Sequence, residues 1–310
     1  MTGIRNPARG FRRAGNPSFR KTRMKRTFLI FGVAFLSGSL CAASLKVSPG
    51  GFIIQNVKPG VSYNLYETTK IKLSIFNDDT STHTYALSVH KPSSVGNWER
   101  GYLEIPDSSW CWFKEKEVTI APQKVGYGNL SFKIPDQACY YNQHWVATMG
   151  IIGKQEGGIG FGLGIYVRIQ IETESRSDIE DKPNGLSGFK PNTIELDGVS
   201  PGSSHTKKVT IFNNDAKPHS YSVHYLGEDE KLKASSYLTH SYELIPDSSW
   251  LATDKMSFKI EPQGNLTLSV TITIPPEMSH YNKKWEEILF IEPEAGLPGF
   301  IRVRINTSDK

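Results

Sequence analysis

From Leu266 to Ile274 apolar and hydroxylated side chains alternate without a break, a period of two that predicts a half-buried β-strand. Leu130 to Ile134 has the same phase, and Lys70 to Ile75, Met256 to Ile260 and Ile165 to Ile171 alternate in the same way. Turn-forming clusters separate these runs: Asn77-Asp78-Asp79, Asn213-Asn214-Asp215, Pro106 to Ser109, Pro262-Gln263-Gly264 and Pro275-Pro276. No segment of ten or more residues carries a helical period. Short strands with frequent turns predict an all-β fold of the sandwich type.

The pattern occurs twice. Tyr102 to Trp110 (Tyr-Leu-Glu-Ile-Pro-Asp-Ser-Ser-Trp) returns as Tyr242 to Trp250 (Tyr-Glu-Leu-Ile-Pro-Asp-Ser-Ser-Trp). Trp145 returns as Trp285, and upstream Ile75-Phe76-Asn77 returns as Ile211-Phe212-Asn213. The spacing between copies changes from 136 to 140 residues between Tyr85 and Tyr102, where the second copy is longer. Such a period is far above that of a solenoid repeat, so each copy should be a domain with its own core. The expected organisation is two tandem immunoglobulin-like antiparallel β-sandwiches, over residues 45–172 and 191–308, joined by a polar linker at 173–190.

Residues 1–43 read as a leader with a cleaved signal peptide. Met24-Lys25-Arg26, the apolar run Phe28 to Leu36 and the small residues around Cys41-Ala42-Ala43 supply its three parts, with Met24 the expected true start. The formal charge of +5 becomes −4 once the nine basic residues before Thr27 go with the leader. A nucleic-acid partner is therefore not expected, since it would need a concentrated basic face. No other stretch is long and apolar enough for a spanning helix. Leu40, directly before Cys41, argues against Cys41 as a lipid anchor. The mature chain is expected to be exported, to the periplasm or the cell surface.

Cys111 and Cys139 have Leu251 and Ser279 as their counterparts, so both cysteines are missing together from the second copy. In an oxidising compartment this paired absence predicts a Cys111–Cys139 disulfide. Residues shared by both copies are most economically assigned to the fold, and on that criterion the Ile-Pro-Asp-Ser-Ser-Trp segments are structural. Aromatic residues confined to the first copy are the candidate partner-binding set: Trp98, Trp112 (Ala252 in the second copy), Tyr140 (His280) and Tyr166 (Arg302). The Asn-Asp clusters lack the spaced acids of a calcium loop, and the scattered histidines suggest no zinc site. No nucleophile elbow or Walker loop is present, and the glycine-rich stretch Gly157 to Gly164 reads as a hairpin arm. No catalytic residue, metal or cofactor is expected.

Each copy resembles the broad group of immunoglobulin-like sandwiches that includes major-sperm-protein-type domains and periplasmic pilus chaperones. The features that carry the resemblance are Val57 to Gly60 and Val199 to Gly202, the strand ends Ile75-Phe76-Asn77 and Ile211-Phe212-Asn213, and the Pro122-Gln123 and Pro262-Gln263 turns. The resemblance implies a non-enzymatic envelope or surface protein that binds protein or glycan partners through loops and edge strands. Its alternative implication is a chaperone-like assembly factor for pili, in which Ile165, Val167, Ile169 and Ile171 would be offered to a subunit. The visible homology of the two copies and the lack of a recognisable basic pair for a subunit carboxylate argue against that alternative.

Overall fold

The computed structural model describes residues 45–154, 163–228 and 236–310. The expected leader, and the glycine-rich stretch up to Gly162, lie outside the described residues. The first module contains β1 (Leu45–Ser48), β2 (Gly51–Val57), β3 (Ser62–Asn64), the short helix α1 (Leu65–Thr69), β4 (Leu73–Asn77), β5 (His83–His90) and α2 (Pro92–Val95). It continues with β6 (Leu103–Glu104), β7 (Cys111–Phe113), β8 (Glu117–Ile120), β9 (Lys124–Gly128), β10 (Leu130–Lys133), β11 (His144–Gly153) and β12 (Gly164–Thr173). The second module contains β13 (Ser187–Lys190), β14 (Thr193–Val199), β15 (Ser204–Asn213), β16 (His219–Tyr225) and β17 (Glu243–Leu244). Its remaining strands are β18 (Leu251–Thr253), β19 (Ser257–Ile260), β20 (Asn265–Thr273), β21 (Lys284–Pro293) and β22 (Gly299–Thr307).

Each module is a two-layer sandwich. One layer is ordered β2-β12-β11-β5-β8 in the first copy and β14-β22-β21-β16-β19 in the second. The facing layer is β13-β15-β20-β18 in the second copy; in the first it is split into β1-β4-β9 and β3-β10-β7. Most pairs are antiparallel, but the opening strand of each module changes layers. Proline has no N–H for a ladder, and at Pro49 and Pro191 the chain leaves its antiparallel partner. It then runs parallel to the last strand of the module, β2 along β12 and β14 along β22.

The inward side chains form two separate cores, around Ile75, Phe132, Trp145 and Val167 in the first module and around Ile211, Leu268, Trp285 and Val303 in the second. Val167, Ile169 and Ile171 are fully buried in their own core. This corrects the expectation that these alternating residues are available to a partner: their face of β12 is already covered. The repeated segments work as structural devices. Asp107 accepts a hydrogen bond from the Ser109 N–H at 2.8 Å, as Asp247 does from Ser249 at 2.8 Å, which starts the turn that carries each Trp to its partner. Asn77 and Asn213 each donate through Nδ2 to three backbone carbonyls, Asn77 to those of Ser81, Ile120 and Ala121.

Three differences in length separate the copies. Val57 corresponds to Val199 and Ile75 to Ile211, so the first copy is six residues longer between these points. The extra chain forms β3 and α1, where the second copy runs through as the single strand β15. The second difference is the longer connection before Tyr242, and the third is the connection between β11 and β12, ten residues (154–163) against five (294–298) between β21 and β22. The stretch expected to be linker is also not free. Its last four residues are the strand β13, and Ser175 and Arg176 are held by hydrogen bonds to Asn142 of the first module and Thr193 of the second.

The modules meet through the outer faces of β11, β12, β21 and β22. Most residues of β11 and β21 are buried on both sides. A third apolar cluster lies between the copies, made of Tyr102 and Val146 from the first and Leu226, Tyr237, Ile288, Phe290 and Phe300 from the second.

Candidate functional site: the groove between the modules

Beside that cluster the interface is charged. Arg302, fully buried on β22, donates through Nε to Glu172 Oε2 at 3.0 Å, through Nη1 to Glu286 Oε2 at 2.8 Å, and to the Tyr237 carbonyl at 2.8 Å. Arg304 Nε pairs with Glu286 Oε1 at 2.9 Å. The Tyr102 hydroxyl donates to Glu172 at 2.6 Å and the Gln55 amide does so at 3.0 Å. Burial alone would raise the Glu172 carboxyl, but Arg302 and the surrounding donors hold it down at about 2. His144, stacked on Phe300 at 3.9 Å and bonded to the Asn192 amide at 3.0 Å, is pushed down to about 4 by burial and is neutral. Removing one member of such a network leaves a charge buried without its partner, so the network favours one docking geometry over others.

This junction borders a groove of about 780 Å³. Gly50, Gly51, Phe52 and Ile53 line it consecutively, so the strand β2 presents its edge and not only one face. That edge is unpaired among the described residues, because β2 is the last strand of its layer and its ladder is with β12. Thr69 and Ile71 form one wall; Ser236, Leu238, Thr239 and His240 form the other. Arg168 and Gln170 project from β12, and Arg168 is ion-paired with Glu99. Gln55 and Thr239 connect the lining to the buried charges: Arg304 Nη2 donates to Gln55 Oε1 at 2.6 Å, and the Thr239 N–H donates to Glu286 Oε2 at 2.6 Å. The walls are built from two of the three places where the copies differ in length, α1 with its exit and the longer connection before Tyr242.

The aromatic residues singled out by sequence do not form one site. Trp98 and Tyr166 are both exposed and lie near each other: Arg168 donates to the Trp98 carbonyl at 3.1 Å, and Asn97 reaches the Tyr166 carbonyl at 3.5 Å. Trp112 is exposed on β7, beside Ser131 of β10 in the same sheet and in a different layer from Tyr166. Tyr140 packs against Trp110 at 5.0 Å and Trp145 at 5.5 Å, so it belongs to the core of the first module. The disulfide expected between Cys111 and Cys139 is not formed. Cys111 turns into the core from β7, where burial pushes its thiol up to about 12, and Cys139 places its sulfur against Gln137 Oε1 at 3.8 Å; both are free. Sequence reasoning missed Glu172, Arg302 and Glu286. The one available signal was the charged pair Glu286-Glu287 inside an otherwise apolar strand.

Among the described residues no helix is long and apolar enough to cross a membrane, and no three metal-ligating side chains gather. No known family pattern matches the chain, and no curated protein matches it by sequence. Solved structures are similar to it in fold only. A Porphyromonas gingivalis protein of unknown function is 13% identical, with 84% of this chain and 99% of that one covered, at a TM-score of 0.34. The E. coli chaperone DraB is 7% identical over 84% and 97% of the two chains, at 0.29. A C. elegans MSP family member is 10% identical over 40% and 99%, at 0.25.

Proposed function

We propose that this chain is a non-enzymatic, exported binding protein that holds an extended segment of another envelope protein in the groove between its modules, as a chaperone-like assembly factor does. The observation that carries this reading is the make-up of the groove: two of the three length differences between the copies line it, as a duplicated scaffold would if divergence had concentrated where a partner sits. The edge of β2 supports it physically. Unpaired backbone groups along an edge strand accept an added strand, and neighbouring side-chain pockets then give specificity. The groove mixes apolar side chains, Ile53 and Leu238, with the Arg168–Glu99 pair, which suits a peptide better than a uniformly apolar ligand.

Affinity capture from the envelope of the producing cells tests this. The tagged full chain is compared with Ile53→Arg and Leu238→Arg, which fill the groove with charge, and with Met278→Arg on a surface that is 61% exposed elsewhere. The proposal expects one partner retained by the wild type and Met278→Arg and lost from both groove variants. A partner retained equally by all four chains, or no partner at all, removes it.

A further inference from the structure

On the first module α1 and β9 border a second cavity of about 360 Å³, lined by Tyr66, Glu67, Ile71, Lys72, Tyr127 and Asn129. We propose that it binds an acidic saccharide, with pyranose rings against the two tyrosines and acid groups at the lysines. Tyr66 is 47% and Tyr127 58% exposed, large aromatic faces offered to solvent at one cavity. The Lys72 ammonium lies 5.1 Å from the Tyr66 ring centre and 5.6 Å from that of Tyr127, and Lys70 lies 5.9 Å from Tyr66. Lys70 also donates to the Glu67 carbonyl at 3.2 Å. Among the described residues neither ammonium is paired with a carboxylate.

A ring face attracts a cation without neutralising it, so Lys72 in the lining and Lys70 beside it at the Tyr66 ring together outnumber the single carboxylate of Glu67. The charge therefore favours an anion, while the tyrosine faces favour a ligand with flat apolar C–H surface. A sugar ring carrying a carboxylate or sulfate has both. Hydroxyl groups find partners as well. Asn129 Oδ1 is used by the Asn64 amide at 2.6 Å, which leaves the Asn129 NH₂ group to donate, and Glu67 accepts. The volume lies within the range of small-ligand sites, about 300–1,000 Å³. The site exists once in the chain: α1 belongs to the stretch that the second copy lacks, and Thr267 occupies the position of Tyr127. It shares Ile71 with the groove and no other lining residue.

Titration calorimetry on the full chain at 0.15 M salt tests it with four probes: tetragalacturonate, a sulfated chondroitin tetrasaccharide, neutral cellotetraose and poly-glutamate. The proposal expects binding of at least one acidic saccharide, and the two acidic arms identify the acid group. Lys72→Gln and Tyr127→Ala, each exposed and leaving the unfolding midpoint unchanged, should weaken it at least tenfold, whereas Lys259→Gln should not. Any of four results overturns the proposal: no acidic saccharide binding, binding indifferent to Lys72→Gln and Tyr127→Ala, cellotetraose binding as tightly, or poly-glutamate binding as tightly.

Discussion

Arg302→Met keeps most of the side-chain volume at the centre of the interface and removes its charge. The two carboxylates that Arg302 serves are then left in different positions. Glu286 keeps Arg304 Nε at 2.9 Å and the Thr239 N–H at 2.6 Å, so its charge stays compensated. Glu172 keeps only neutral donors, the Tyr102 hydroxyl at 2.6 Å and the Gln55 amide at 3.0 Å. Breaking a buried pair from one side costs about 3–5 kcal/mol, and that is the loss expected at pH 7.5. In the intact protein the Glu172 carboxyl, at about 2, lies below its usual 4.5. It therefore contributes stability above 4.5 that is lost only as pH falls through about 2. In the variant, burial without Arg302 raises the carboxyl above its unfolded value, so the sign reverses and protonation relieves the stranded charge. The deficit should shrink between pH 7.5 and 5. Arg302→Met with Glu172→Gln should recover about 2 kcal/mol or more of the loss, because the stranded charge is gone. Urea unfolding followed by tryptophan fluorescence at the two pH values measures all three quantities. A loss below about 1 kcal/mol, one equal at both pH values, or a double variant no better than the single one would refute the reasoning.

His144, held at about 4 by burial and facing Glu172, Arg302, Tyr102, Asn192 and Phe300, stays neutral while the unfolded chain takes up its proton near 6.5. Stability should fall by up to about 3 kcal/mol as pH drops from 6.5 to 4, and His144→Phe should flatten that slope in denaturation at pH 7 and 4.5. Asn77→Ala and Asn213→Ala each strip a shared donor from three carbonyls, at a cost of about 1–3 kcal/mol in urea unfolding. Maleimide should label Cys139 in the native protein and Cys111 only after unfolding; a peptide joining the two in mass spectra of unreduced protein would contradict the free thiols.

How far the sequence led depends on which faces are covered. Leu266 to Ile274 announced β20 because its outward threonines meet water, and the repeated Ile-Pro-Asp-Ser-Ser-Trp announced two equivalent turns because their hydrogen bonds are local. β11 and β21 gave no alternation to read: the other module covers their outer faces, so Val146, Ile288 and Phe290 are buried where polar residues would otherwise stand. β13 was hidden in a polar stretch because Phe189 is its one large apolar residue. The aromatic candidates were chosen by comparing copies, which locates divergence but not direction; Tyr140 diverged into the core and Trp112 onto a separate surface. The same comparison applied to length would have pointed toward the groove, since the end of α1 and the connection before Tyr242 line it. The charged network was out of reach, because Glu172 pairs with Arg302 across 130 residues of chain.

A partner lying between the modules along β2 is the premise of the proposed function. Its most direct test is a crosslinking map in the producing cells, with a photoreactive residue placed singly at Ile53, Thr69 and Leu238 in the groove and at Met256, Met278 and Leu297 outside it. The account predicts adducts to one protein from the three groove positions and none from the others. Adducts from the outer positions, or from no position, would contradict it.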